Sequence, residues 1–146
     1  MKVYLDTCSI QRPLDTPNQT RIRLEADAVL GILERVEGGD IELVSSTVLE
    51  LEISQNSLAI RREHGEQILN RARSVVTIDE SRANRAKKFV QQGVKAADAL
   101  HLAAAEGAGV DYFCTCDDRF LRRANGISDL GTTVVTPIEL IRIIES

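Results

Sequence analysis

Cysteine is scarce in this chain, and what there is suits no cross-link. Cys8, Cys114 and Cys116 make an odd count, and Cys114-x-Cys116 has the spacing of one strand face, not of a Cys-x-x-Cys pair. No second Cys/His pair lies nearby, so a zinc site is not expected and reduced, partly buried thiols are. Long apolar runs are also missing: none approaches the roughly 20 residues of a membrane span, and Met1 to Asp6 reach a charge too soon for a signal peptide. A soluble, cytoplasmic protein with no membrane association is expected. Low-complexity tracts, repeats and linker-like stretches are absent as well, so the 146 residues are expected to form one domain, 1–146.

Positive charge is in deficit. The formal net charge is -4, which argues against a protein that simply coats nucleic acid, since nonspecific phosphate binding needs cations. The cations present are unevenly chosen, with fourteen arginines against four lysines. Several arginines are grouped: Arg21/Arg23, Arg61/Arg62 and Arg119/Arg122/Arg123. Arginine suits bidentate phosphate contacts and a local basic rim around an acidic pocket, although for any one of them a solvated helix face laced with ion pairs is the better account.

Apolar strand-like runs alternate with helical patterns along the chain. The spacing predicts strands at Lys2–Leu5, Ile41–Val44, Val75–Ile78, Asp111–Thr115 and Thr133–Val135. It predicts a helix through Leu24, Ala28, Leu30, Ile32, Leu33 and Val36, and one carrying Val48, Leu49 and Ile53 capped by Ser45 or Ser46. Further helices are expected over Leu58–Arg73 with Ile60, Ile68 and Leu69 inward, from Asp79 or Ser81 through Phe89 and Val90, and over Ala96–Ala105. The last two are Arg119–Ala124 and Pro137–Ile144. A loop marked by Pro13 and Pro17 follows the first strand. Strands alternating with helices imply a three-layer α/β/α sandwich with a central parallel sheet.

Acidic residues recur where strands end or helices begin: Asp6, Glu50 and Glu52, Asp98, and Asp117 with Asp118. The carboxyl ends of parallel strands share one edge, so these acids can converge from distant parts of the chain. Converging carboxylates repel one another and are tolerable mainly around a hard divalent cation such as Mg2+ or Mn2+. Each has a plainer role too. Asp6 suits a turn or cap, Asp98 a cap or a pair with Lys95, and Asp117 and Asp118 helix caps. Glu52 shares the inward face of Val48, Leu49 and Ile53, while Glu50 points elsewhere, though a shifted helix boundary exchanges the two. His101, one turn from Asp98, reads as a packed or ligand-orienting residue more than as a general base.

Together, Tyr4-Leu5-Asp6-Thr7, Glu52 in the segment opened by Ser46, Asp98-Ala99-Leu100-His101-Leu102-Ala103 and Thr115-Cys116-Asp117-Asp118-Arg119-Phe120 resemble the four ordered acidic motifs of the PIN-domain family, which includes the VapC-type toxins of bacterial toxin-antitoxin pairs. The resemblance spans essentially the whole chain. Cys8 departs from the Asn found there in many relatives, and the doublets Glu50/Glu52 and Asp117/Asp118 leave two ligands open. The resemblance implies a Mg2+- or Mn2+-dependent endoribonuclease acting on RNA. Asp6, Glu52, Asp98 and Asp117 are then the catalytic acids, with Asp6, Asp98, Asp117 and in addition Asp118 as metal ligands. Thr7, Ser46 and Thr115 would orient ligands or water. It further implies a homodimer inhibited by a small antitoxin.

The chemistry agrees: there is no apparent Ser-His-Asp set, no nucleotide-binding glycine loop and no cysteine placed with a His base. A receiver-like phosphoacceptor lacks its acidic pair after the first strand, and a dehalogenase-type phosphatase would want an acid where Cys8 stands. A noncatalytic PIN-like RNA-binding or protein-interaction module is the alternative.

Overall fold

A computed structural model describes residues 1–146. Five strands form one fully parallel sheet: β1 (Lys2–Leu5), β2 (Glu42–Ser46), β3 (Ser74–Val76), β4 (Tyr112–Cys114) and β5 (Thr133–Val135), in the order β3-β2-β1-β4-β5. Parallel strands buried on both faces need near-continuous apolar runs, and Val3, Tyr4 and Leu5 in the central strand are each 0% exposed. The chain lays β1, β2 and β3 outward to one side, then returns to place β4 and β5 on the other. Strand order therefore reverses beside β1, and such a switch point opens a crevice at the carboxyl edge of the sheet.

Helices α1 (Thr7–Gln11), α2 (Thr20–Glu37), α3 (Thr47–Ser54), α4 (Ala59–Leu69), α5 (Glu80–Gln91), α6 (Ala96–Gly107), α7 (Asp118–Asn125) and α8 (Pro137–Glu145) complete the fold. The three-layer α/β/α expectation holds. Because α6 leads into β4, its amino end lies at the sheet's carboxyl edge. It is packed closely through Ala99, Leu102, Ala103, Ala104 and Ala105, all 0% exposed, as its small side chains predict.

Some local expectations need correction. The segment after β1 is not a loop: it forms α1 and a 3-10 turn over Arg12–Leu14. Asp6 initiates α1 by accepting a hydrogen bond from the Ser9 amide at 3.0 Å, and Pro13 sits early in the turn, where a missing N–H is harmless. The second strand extends through Ser45 and Ser46, both fully buried. Ile60 does not face the core; it is 68% exposed, because α4 packs on α3 and α1 through Gly65, Ile68 and Leu69. Leu24, Leu30 and Val90 are likewise exposed. Gly65 permits that close approach, since a Cβ there would lie 2.6 Å from Ile53 Cγ2 and 3.3 Å from Gln11 Nε2.

Candidate functional site

Asp6 follows the central strand at the switch point and is 9% exposed. Its Oδ1 accepts from the Ser9 amide and, at 3.1 Å, from the Cys8 thiol. Burial raises its carboxyl above the ordinary aspartate range, against the opposing pull of the Thr115 hydroxyl, the Cys8 thiol and Ser9. The capping and the cleft-lining readings of Asp6 are thus both realised in one residue. Thr115 also accepts from the Asp117 amide at 3.1 Å and meets Cys8 Sγ at 3.7 Å, so it ties the ends of β1 and β4 together.

Glu52 enters the cleft from α3, whose amino end is capped by Ser46 accepting from the Leu49 amide at 3.0 Å. Glu50 is exposed on the other side of that helix. The Thr7 hydroxyl donates to Glu52 Oε1, and His101 Nε2 lies 2.6 Å from Oε2. Behind it, His101 Nδ1 is 2.6 Å from the Tyr4 hydroxyl, which is 2.7 Å from Ser46 Oγ. Burial alone would raise the Glu52 carboxyl, but His101 and Thr7 outweigh it and leave the group below the usual glutamate range. Burial also raises the Tyr4 phenol, which stays protonated. The polar chain behind Glu52 was only half visible in sequence: Tyr4 reads simply as a strand residue.

Asp98 projects from the first turn of α6. It is half-buried, and burial raises its carboxyl, with Asp117, Asp6 and Glu52 adding to the rise and His101 opposing it. The four acids therefore lie within one electrostatic neighbourhood. Asp117 caps α7, accepting at Oδ1 from the Arg119 and Phe120 amides at 3.0 and 3.2 Å. Asp118 behaves differently: both its oxygens pair with Arg21, each at 2.6 Å, and it does not line the cleft. The pair holds its carboxyl below the aspartate range.

Asp6, Glu52, Asp98 and Asp117 line one open cleft of about 420 Å³, together with Thr7, Cys8 and His101. Gln11, Asp15, Asn56 and Arg61 complete its wall, and of these only Arg61, through the Arg61/Arg62 group, stood out in the sequence. No three side chains among the His, Cys, Asp and Glu residues converge tightly enough to enclose a metal ion by themselves. Magnesium usually keeps several waters and is held through one or two carboxylates, so the carboxylates of an open cleft of this width fit a hydrated hard cation. It does not fit a softer metal, because the cleft's only thiol, Cys8, is engaged with Asp6.

No curated protein matches this sequence. Among solved structures, the fold is similar to that of VapBC2 from Rickettsia felis, bound to a DNA fragment from their promoter. The TM-score is 0.61 at 13% identity, covering 93% of this chain and 98% of that one. It is also similar to VapBC-5, a member of the VapBC family of toxin-antitoxin systems from Mycobacterium tuberculosis, with a TM-score of 0.52 at 14% identity and coverage of 92% and 98%. At such identities the likeness is one of fold. A model of the PIN domain matches residues 3–126, which contain Asp6, Glu52, Asp98 and Asp117, strands β2 to β4 and all but the first residue of β1. The chain belongs to the PIN domain family.

Proposed function

We propose that this protein is a Mg2+- or Mn2+-dependent endoribonuclease that hydrolyses RNA phosphodiester bonds, and that it serves as the toxin of a toxin-antitoxin pair. One observation carries the reading: Asp6, Glu52, Asp98 and Asp117, from four separate segments of the sequence, line the same cleft at the switch point of a parallel sheet. Carboxylates gathered this way raise one another's proton affinity, a cost that a cation removes.

Asp6 and Asp98 hold the ion, with Asp117 completing the donor set. A bound divalent ion supplies neutralisation of the phosphate and a lower pKa for its water. Glu52 is the acid that orients the attacking water. Each of its oxygens has one lone pair engaged by Thr7 or His101 and another free, so its direction is fixed without its being saturated. Thr115 positions the Asp117 backbone, and Ser46 acts on Glu52 only through Tyr4 and His101.

Partners follow from the surface. Leu24 and Leu30 on α2 and Leu51, Leu58 and Ile60 around α3 and α4 are each between 47% and 68% exposed, an apolar excess that supports a homodimer and a docked antitoxin. An arginine of that partner, placed among the carboxylates, would take the position of the metal's charge. Light scattering across a concentration series, and co-expression with a neighbouring small gene, test both parts; a strict monomer or a bound neighbour that leaves cleavage unchanged sinks them.

The nuclease itself is tested by incubating purified protein with single-stranded and hairpin RNA, with either metal or with chelator, beside Asp6→Asn and Asp98→Asn. Cleavage is expected only with metal and only in the parent protein, while both variants keep a cooperative melt. Activity in chelator, or in either folded variant, removes the proposed mechanism.

A further inference from the structure

Next to the acidic cleft, and sharing Asp98 and Asp117 with it as a common wall, is a smaller recess of about 130 Å³ whose charge is of the opposite sign. Lys95, Arg119 and Arg123 line it, all exposed. None of the three forms a salt bridge, whereas Arg12, Arg21, Arg61, Arg71 and Arg85 are each paired with a carboxylate. The local sequence arranges this. Lys95 immediately precedes α6, and Arg119 and Arg123 stand at i and i+4 on α7, so they share a face and repel each other. Gly93, at a φ of +98°, seats the second arginine: a Cβ there would lie 2.9 Å from Arg123 Nη1 and 3.6 Å from its Cζ. A guanidinium thus rests against bare backbone beside an unpaired neighbour of its own sign.

The opposite wall of the acidic cleft is different. Its one cation, Arg61, is held by Asp15 at 2.9 Å. Among the cations that line the two cavities, those without a carboxylate partner therefore stand on one side only, beside Asp98 and Asp117, while Arg62 on α4 is turned onto the Asn56 carbonyl at 2.7 Å. Arginine is the side chain best shaped to grip a phosphate by two parallel hydrogen bonds.

We infer that the recess formed by Lys95, Arg119 and Arg123 is a phosphate subsite for the nucleic-acid backbone, adjoining the phosphate that lies over the acidic cleft. A bound strand then leaves the cleft across the α6–α7 edge and not across α4. The inference rests on the nuclease reading for its ligand, but binding alone can test it.

The experiment compares the full-length protein with Arg119→Gln/Arg123→Gln and with Arg142→Gln, an exposed and unpaired arginine on α8. Binding of a labelled single-stranded RNA is followed by fluorescence anisotropy in chelator across a salt series, and cleavage kinetics are followed with magnesium. At roughly 0.7 of slope per phosphate contact on single strands, the double variant should lower the slope of log Kd against log salt by about 1.4 and raise Kd and KM about tenfold, with kcat little changed. Arg142→Gln should move none of these. Unchanged Kd and slope in the double variant, or an equal loss in Arg142→Gln, overturns the subsite. If the parent protein binds RNA with this Arg119/Arg123 dependence yet does not cleave it, the subsite stands and the nuclease reading falls; if it cleaves and the double variant is unaffected, only the subsite falls.

Discussion

His101 Nε2 lies 2.6 Å from Glu52 Oε2, and this contact joins the cleft to the middle of the sheet. Ser46, Tyr4, His101 and Glu52 form one continuous chain of hydrogen bonds that ends on the carboxylate, which also accepts from Thr7. The glutamate's direction is thereby set from a residue that is fully buried in the central strand.

Replacing His101 by Ala should therefore do more than open a hole. It leaves the buried Tyr4 hydroxyl with Ser46 as its one partner and frees one Glu52 oxygen, at a cost of about 1–3 kcal/mol in stability. It also leaves Thr7 alone to offset the burial of Glu52. The Glu52 carboxyl, now held below its usual range, should rise, moving the acid limb of the pH–rate profile upward. Tyr4→Phe keeps the His101 donor and should shift that limb less. An acid limb unmoved in a folded His101→Ala variant would show that the histidine only packs.

The two acidic doublets should separate cleanly. Glu52→Gln and Asp117→Asn alter cleft residues and are expected to lower the cleavage rate at least tenfold, a barrier change of about 1.4 kcal/mol or more. Glu50→Gln changes a solvated side chain. Asp118→Asn breaks only an exposed pair with Arg21, which water screens. Both should stay close to the parent rate. Single-turnover assays of the four variants give the ranking, and the reverse order would assign the cleft roles to the wrong member of each pair.

Asp98→Asn should stabilise the metal-free protein while removing activity. The Asp98 carboxyl is raised above its ordinary 3.8, so the folded state binds a proton more readily than the unfolded chain does. By linkage its contribution to stability is greatest at pH values below 3.8 and declines as pH rises through the folded-state value. At neutral pH the ionised group is a liability. Removing its charge should raise Tm, by an amount that solvent screening of the half-exposed group keeps small. Magnesium should raise the Tm of the parent protein by mass action and that of Asp98→Asn much less. A lower Tm for Asp98→Asn in chelator would contradict the electrostatic account.

Much of this protein is written locally. Strand β1, strand β5 and the start of α8 follow from apolar runs and from Pro137, and alternation of the two patterns suffices for a parallel, two-sided sheet. Asp6, Asp98 and Asp117 were recognisable for the same reason: each ends a strand or opens a helix, and that position is a property of a few neighbouring residues. Helical phase favoured Glu52 over Glu50 but left the choice to the helix boundary; the fold puts Glu52 in the cleft and Glu50 in solvent.

What required the tertiary structure was everything that depends on which segments become neighbours. The fate of Asp118 is fixed by Arg21, 97 positions away, and the direction of Glu52 by His101, 49 away. Neither pairing leaves a trace in the local pattern. The short α1 was missed because its start depends on the Asp6 side chain turning back to the Ser9 amide, which competes with the loop signalled by Pro13 and Pro17. The exposure of Ile60 could not be read either, since helical spacing says which residues share a face but not whether another element covers it. Periodicity and capping are short-range and survive in one dimension; cleft walls and charge partners are set by packing, and appear only once the chain has folded.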